Sequence, residues 1–365
     1  MHSCLNIELT EKLSAKLTTK LTARFTTKLT AGFTTKLTAG FVNGMVALTC
    51  ALGALPALTG AQTQTTGAPY PSKPITLVIP FPAGSGTDAV GRIFAVEMGN
   101  ILGQQVVVEN KPGGNATIGA QQVARAQPDG YTLFLATNTP MSAAPWLMKS
   151  IPYDPIKDFT PIARGGNLPF MLVINPKLPV KTVQELVAYA KKNPGKLNYA
   201  SGNSTGIVGG ATLAVRTGID IVHVPYKGTP QAMTDLVGGQ VDLMFTDVAS
   251  GMPFVKSGQM RALAVSTAER SALAPELPSM MEAGVPDFDL NSWNGYLGPA
   301  GLSPEVVRKI NAAINQTIAK PEIKARLANL GFDAFSGTPE SFTTFVATQR
   351  DVWRDMIQGA GIQPE

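Results

Sequence analysis

Residues 75–92 read ITLVIPFPAGSGTDAVGR: a short apolar run, a loop of small residues and the opening of a helix. Ile75–Phe81 has the composition of a buried strand. Val90, Phe94, Met98 and Ile101 then recur at helical spacing up to Gly103. Strand, loop and helix in that order form the unit of an α/β sheet, whose ligands gather outside the carboxyl ends of the strands. From Ala83 to Thr87 no side chain is bulky, so the loop presents mostly backbone. The first N–H groups of a helix have no intrahelical acceptor and carry the positive end of the macrodipole. Gly84 and Gly86 allow close approach of a ligand. Such a loop can hold an anionic oxygen without lysine or arginine. The plain alternative is a βα turn in which Thr87 or Asp88 caps the helix.

Working outward, the pattern repeats. QVVVEN (105–110) reads as a second strand, KPGGNATIG as a glycine-rich loop, Ala120–Ala126 as a short helix and YTLFLAT (131–137) as a third strand. A second cycle begins with Thr182 and Glu185, a capping box for VQELVAYAKK. It continues through LNYA, the loop SGNSTG, a helix through Ala211–Val215, the strand IDIVHVPY and a helix opened by Thr229-Pro230. QVDLMFTD (240–247) and RALAVST (261–267) supply further strands. Ser303-Pro304, Pro321 and Thr338-Pro339 each mark a helix start in the tail. The expected fold class is α/β with two lobes, each a mixed, mostly parallel sheet flanked by helices. One lobe is expected to comprise residues 70–172 and 290–365 and the other 173–289, with crossings near Met171–Pro176 and Asp287–Pro299.

SGNSTG, from Ser201 to Gly206, repeats the arrangement of the first loop in the second lobe. Two helix N-termini facing a shared cleft would clamp a small anion. Thr137, Asn138 and Thr139 end one strand and Thr246 and Asp247 another, at the same expected edge. The candidate binding residues are therefore Phe81, Pro82, Ala83, Gly84, Ser85, Gly86, Thr87, Asp88, Thr137, Asn138, Thr139, Ser201, Gly202, Asn203, Ser204, Thr205 and Asp247.

Enzyme chemistry finds less support. Gly202-Asn203-Ser204-Thr205-Gly206 fits a nucleophile elbow, which requires an acid and then a histidine later in the chain. Asp220 is the one acidic residue between Ser204 and His223, and it lies three positions before that histidine. Strand alternation sends the two to opposite faces. No GK[ST], HExxH, cysteine pair or histidine cluster is present, so no nucleotide, metal or other cofactor is expected.

The first 44 residues are different. They repeat a four-residue unit, KLSA-KLTT-KLTA-RFTT-KLTA-GFTT-KLTA, and carry a net +4 of the chain's +5. The remainder is close to neutral, which argues against a nucleic-acid footprint. The repeat reads as an extended basic leader, or as sequence ahead of a true start at Met45, or as an amphipathic helix. Val46–Leu58 (VALTCALGALPAL) is too short to span a bilayer and suits a signal-peptide core. Residues 1–61 are expected to be leader plus signal peptide, cleaved near Ala61. LTC around Cys50 is a poor lipid-attachment box. Both cysteines, Cys4 and Cys50, fall in this segment, so no disulfide or thiolate site is expected in the exported chain, and periplasm is the expected location.

The segments YPSKPITLVIPFPAGSGTD, VVVENKPGG…IGA…VARAQPDGYTLFLAT, IPYDPIKDFTPIA, KLNYAS, DIVHVPYKG, GGQVDLMF, RALAVST and SWNGYLGPAG run in one order from Tyr70 to the C-terminus. Together they resemble the Bug-type periplasmic solute receptors of tripartite tricarboxylate transporters. The resemblance implies a two-lobed Venus-flytrap fold of type II-like topology and capture of a small carboxylate, held largely by backbone amides and ordered waters. It also implies no catalysis, the transporter's membrane components as partners, and a monomer. The first loop of that family usually reads P-P-G-G-x-T-D. Pro82, Gly84, Thr87 and Asp88 match it, and Ser85 replaces the second glycine. The second loop is one residue shorter than the common Y-A-S-x-G-x-G-T, with Ser201 and Thr205 retained. Asp247 matches the family's aspartate after an M-F pair. Two other classes stay open from the residues: an exported enzyme using the same cleft, which ligand turnover would reveal, and a sensor for a membrane signalling protein, which loss of uptake would exclude.

Overall fold

A computed structural model describes residues 69–365; the leader, its repeat and the expected cleavage site near Ala61 lie outside the described residues. The first lobe opens with β1 (Ile75–Ile79), α1 (Gly86–Leu102), β2 (Val106–Asn110), α2 (Thr117–Ala124) and β3 (Thr132–Thr137). β1 pairs in parallel with β2 and β3, as right-handed helical crossovers demand. Gly103 ends α1 with a left-handed φ of 71°, the conformation that glycine adopts without strain. A π-helical turn over Thr139–Ala143 and the short α3 (Ala144–Leu147) follow β3.

The chain then enters one long strand, β4 (Phe159–Ile174), that belongs to both lobes. Phe159–Pro169 pairs with β9 (Asn291–Pro299), whereas Phe170–Ile174 pairs with β7 (Leu243–Asp247) and Met171–Ile174 with β8 (Arg261–Val265). The change of partner falls between Pro169 and Phe170, two residues before the expected crossing. Ser266 pins the return crossing beside it: its N–H donates to Phe170 O at 2.9 Å and its hydroxyl to Leu290 O at 2.6 Å.

The second lobe holds α4 (Val183–Lys192), β5 (Leu197–Ser201), α5 (Ser204–Thr217), β6 (Ile221–Pro225), α6 (Thr229–Gly238) and α7 (Val248–Lys256). β5 pairs in parallel with β6 and β7. Thr182 caps α4 by accepting from Glu185 N–H, while the Glu185 carboxylate reaches back to Lys181 N–H rather than to the cap residue itself. The sheet is therefore mixed: parallel outer strands in each lobe, joined by antiparallel strands at the centre.

Each lobe packs apolar side chains on both faces of its sheet. Leu77, Ile79, Phe94 and Tyr296 lie on one face of the first lobe, and Phe134, Trp293 and Leu297 on the other. α8 (Pro304–Ala319) and α9 (Pro321–Asn329) cover the first of these faces through Ile310, Ile314 and Leu327, ahead of the short β10 (Asp333–Ala334). Full burial of each such side chain contributes about 1.5–3 kcal/mol. The last helix, α10 (Pro339–Gly359), straddles the lobes. Phe342 and Val346 join the Trp293 cluster, and Trp353 and Ile357 join the cluster that holds Leu172 and Phe245. The second half of this helix thus packs in a cluster shared by both lobes, with Ala143 and Leu147 from the first beside Leu172 and Phe245.

Candidate functional site

Both small-residue loops lie at carboxyl ends of parallel strands and open the helices α1 and α5, as expected. Their side chains are engaged in unequal ways. Ser85 is the cap of α1, its Oγ accepting from Asp88 N–H at 3.2 Å. Asp88 turns away from the cleft. Its carboxylate accepts from Gly84 N–H, Arg92 Nε and Asn110 Nδ2 at 2.9–3.0 Å and pairs with Arg92 Nη2 at 3.0 Å. Burial alone would raise its pKa, but the hydrogen bonds from Arg92, Asn110 and Gly84 hold it below the ordinary carboxylate value. Neither Thr87 nor Asp88 is the cap; Ser85, one residue ahead of the helix, already occupies that position. The N–H groups of Gly86 and Thr87 meet no acceptor among the described residues.

In the second loop Asn203 caps α5, accepting from Gly206 N–H at 3.0 Å. Ser201 Oγ lies 2.7 Å from His223 Nε2, and the His223 ring stacks on Tyr199. Burial lowers the His223 pKa, so the neutral ring is favoured. Ser204 does not meet that histidine; its hydroxyl faces Asn138 and Thr139 instead. The GxSxG serine therefore lacks the base that a hydrolase requires.

Asn138 is the centre of a network between the lobes. It is fully buried, and its Nδ2 donates to Ser204 Oγ at 3.1 Å and Thr205 Oγ1 at 3.0 Å. Ser292 Oγ donates to Asn138 Oδ1 at 2.5 Å, and Thr139 Oγ1 lies 2.9 Å from Ser204 Oγ. These bonds tie the end of β3 to the start of α5 beneath the cleft.

Above this network Phe81, Ser85, Gly86, Thr87, Thr137, Thr139, Asn203 and Asp247 enclose an inner cavity of about 10 Å³, together with Leu168, Phe170, Thr229 and Ser292. That is room for about one water. It adjoins an outer chamber of about 260 Å³, lined by Phe81, Thr139, Gly202 and Asn203 with the Gly113–Ala116 loop and Pro225, Tyr226 and Lys227. Pro82 touches the opposite lobe at Gly228, where an added Cβ would come within 2.5 Å of its ring. Ala83 and Gly84 are exposed and line neither space. Asp88, Asn138, Ser201, Ser204 and Thr205 support the walls without lining them. Sequence reasoning did not single out Thr229, Ser292, Leu168 or Phe170 as cleft residues; Thr229 carried a signal, but only as a helix start.

Asp247 is the one ionisable side chain around the inner cavity. It caps α7, with Oδ1 accepting from Ser250 N–H and Oγ, both at 2.7 Å. Burial pushes its pKa up, opposed by the bonds from Ser250. The same oxygen lies against Gly86: a Cβ there would sit 2.2 Å from it. No group of metal-ligating side chains occurs among the described residues, and no helix among them is long and apolar enough to cross a membrane.

Comparison with known proteins agrees with this architecture. Residues 90–362 match the profile of the tripartite tricarboxylate transporter family receptors. The structure is similar to the periplasmic binding protein BugD, at 36% identity and a TM-score of 0.78, covering 81% of this chain and 100% of that one. It is similar to Rpa4515 of R. palustris with adipate, at 31% identity and a TM-score of 0.79, covering 81% and 100%. MatC from Rhodopseudomonas palustris with bound malate gives 31% and 0.75, covering 79% and 100%.

Proposed function

This chain belongs to the tripartite tricarboxylate transporter receptor family, and from that premise we propose that it captures a small carboxylate between its lobes for uptake by the transporter's membrane components. It is a solute-binding receptor and not an enzyme. The observation that carries the carboxylate reading is the start of α1. Gly86 and Thr87 present N–H groups without acceptors at the positive end of a 17-residue helix, on the wall of an interlobe cavity. The cap of α5 faces the same space through Asn203. Charge-assisted hydrogen bonds from such donors contribute about 1.5–3 kcal/mol each. The adipate and malate held by Rpa4515 and MatC support the same ligand class. The periplasm is the location in which such a receptor meets both solute and membrane partner.

The test is a thermal-shift and calorimetric panel of mono-, di- and tricarboxylates beside their uncharged amides. Acids should raise the melting temperature and the matched amides should not. Equal binding of acids and amides, or silence for all acids, refutes the reading.

A further inference from the structure

Asp247 has a property that its role as a helix cap does not require. The other side-chain caps in this structure, Ser85, Thr182, Asn203, Ser303 and Thr338, are all neutral. Neutral residues cap as well as aspartate does, yet α7 carries a fully buried carboxylate. Its position is the second observation. Asp247 comes from the lobe opposite α1, lines the inner cavity, and its Oδ1 is the nearest atom to the space that a Gly86 side chain would fill. Oδ1 is engaged by Ser250, and Oδ2 receives no hydrogen bond from any other described residue. Gly86 and Thr87, with their N–H groups unclaimed, form the facing wall.

A carboxylate seated on those N–H groups would have Asp247 beside it. Two carboxylates so placed repel unless a donor or a proton lies between them. A hydroxyl or ammonium on the ligand supplies that donor, and Asp247 Oδ1 lies so close to the start of α1 that the donor must sit near the bound carboxylate, on the adjacent carbon. Resting on the carboxylate reading above, we propose that Asp247 selects acids bearing a hydroxyl or ammonium group on the carbon adjacent to the bound carboxylate. The donor hydrogen-bonds to Asp247 while the carboxylate occupies the start of α1.

Calorimetry on matched sets tests this: propionate, lactate and alanine; succinate, malate and aspartate; glutarate, 2-hydroxyglutarate and glutamate. In the set of the preferred length, the wild-type protein should bind a substituted acid at least about tenfold more tightly than the plain one. Asp247→Asn preserves size and capping, and Asp247→Ser preserves capping alone. In both variants the preference should fall below about threefold, with the plain acid bound at least as tightly as before. Wild-type protein that binds the plain acid equally well, or variants that keep the full preference, would overturn the assignment to Asp247 and leave the carboxylate reading intact. Silence for every acid in the wild-type protein would overturn both.

Discussion

Gly86→Ala tests whether closure of the lobes depends on the missing side chain at the start of α1. An alanine Cβ would lie 2.2 Å from Asp247 Oδ1, 2.8 Å from its Cγ and 3.1 Å from Leu168 Cδ2. Ordinary contact begins near 3.4 Å, so the overlap with Oδ1 is about 1.2 Å. Asp247 cannot retreat without giving up two 2.7 Å bonds to Ser250. The backbone at position 86 is helical and strain-free for alanine, so the separate lobes should fold normally. The helix itself gains about 0.4–1 kcal/mol from the lost glycine entropy.

What should suffer is ligand capture. Pushing the walls apart removes at least one charge-assisted hydrogen bond, about 1.5–3 kcal/mol, which weakens Kd by about 10- to 150-fold. Isothermal titration with the best acid of the panel measures this, and thermal melting without ligand checks the fold. Gly238→Ala is the control, since it is helical with nothing within 4 Å of the added carbon. It should raise stability and leave Kd unchanged. Binding by Gly86→Ala within about threefold of wild type would refute the idea that the lobes close over this contact.

Asn138→Ala removes three side-chain hydrogen bonds and leaves Thr205 Oγ1 and Ser292 Oγ buried without them, so denaturant melts should show a loss of about 2–4 kcal/mol; a loss under about 1 kcal/mol would mean the hydroxyls satisfy one another. Asp88→Asn should change Kd little and cost no more than about 1 kcal/mol, since Arg92 is half exposed and water replaces the lost pair. Because the folded Asp88 pKa lies below its ordinary value, its contribution is present above about pH 4 and is lost as pH falls through the folded value. Acid melts of Asp88→Asn should therefore slope less steeply than wild type, and parallel slopes would contradict this. Lys227→Met, on the wall of the outer chamber, should weaken binding by less than about tenfold if amides rather than a salt bridge anchor the acid.

Much of this protein was legible in short-range signals. Thr182 with Glu185, Ser303-Pro304, Thr338-Pro339 and Gly103 each act within one turn of a helix, and the structure places an element boundary at every one. The two small-residue loops were readable for the same reason, since a strand, a glycine-rich turn and a helix are contiguous in the chain. The long β4 was not legible. Pro161, Gly165, Gly166 and Pro169 look like strand breakers, and the strand accommodates them through register shifts near Pro161–Ala163 and Arg164–Gly166. Nor could spacing reveal that Asn138 meets Ser204 and Ser292, or that Gly86 lies against Asp247. A hydrogen bond or contact between residues that far apart depends on how the two lobes are set by β4 and β9, and the hydrophobic period of each segment carries no information about that placement. The sequence by itself determined the lobes' building units and the loops that end in free helix N–H groups. Only the tertiary structure decided which of the side chains at those strand ends turn into the cleft, as Asp247 does, and which, like Asp88 and Ser201, turn back to hold its walls.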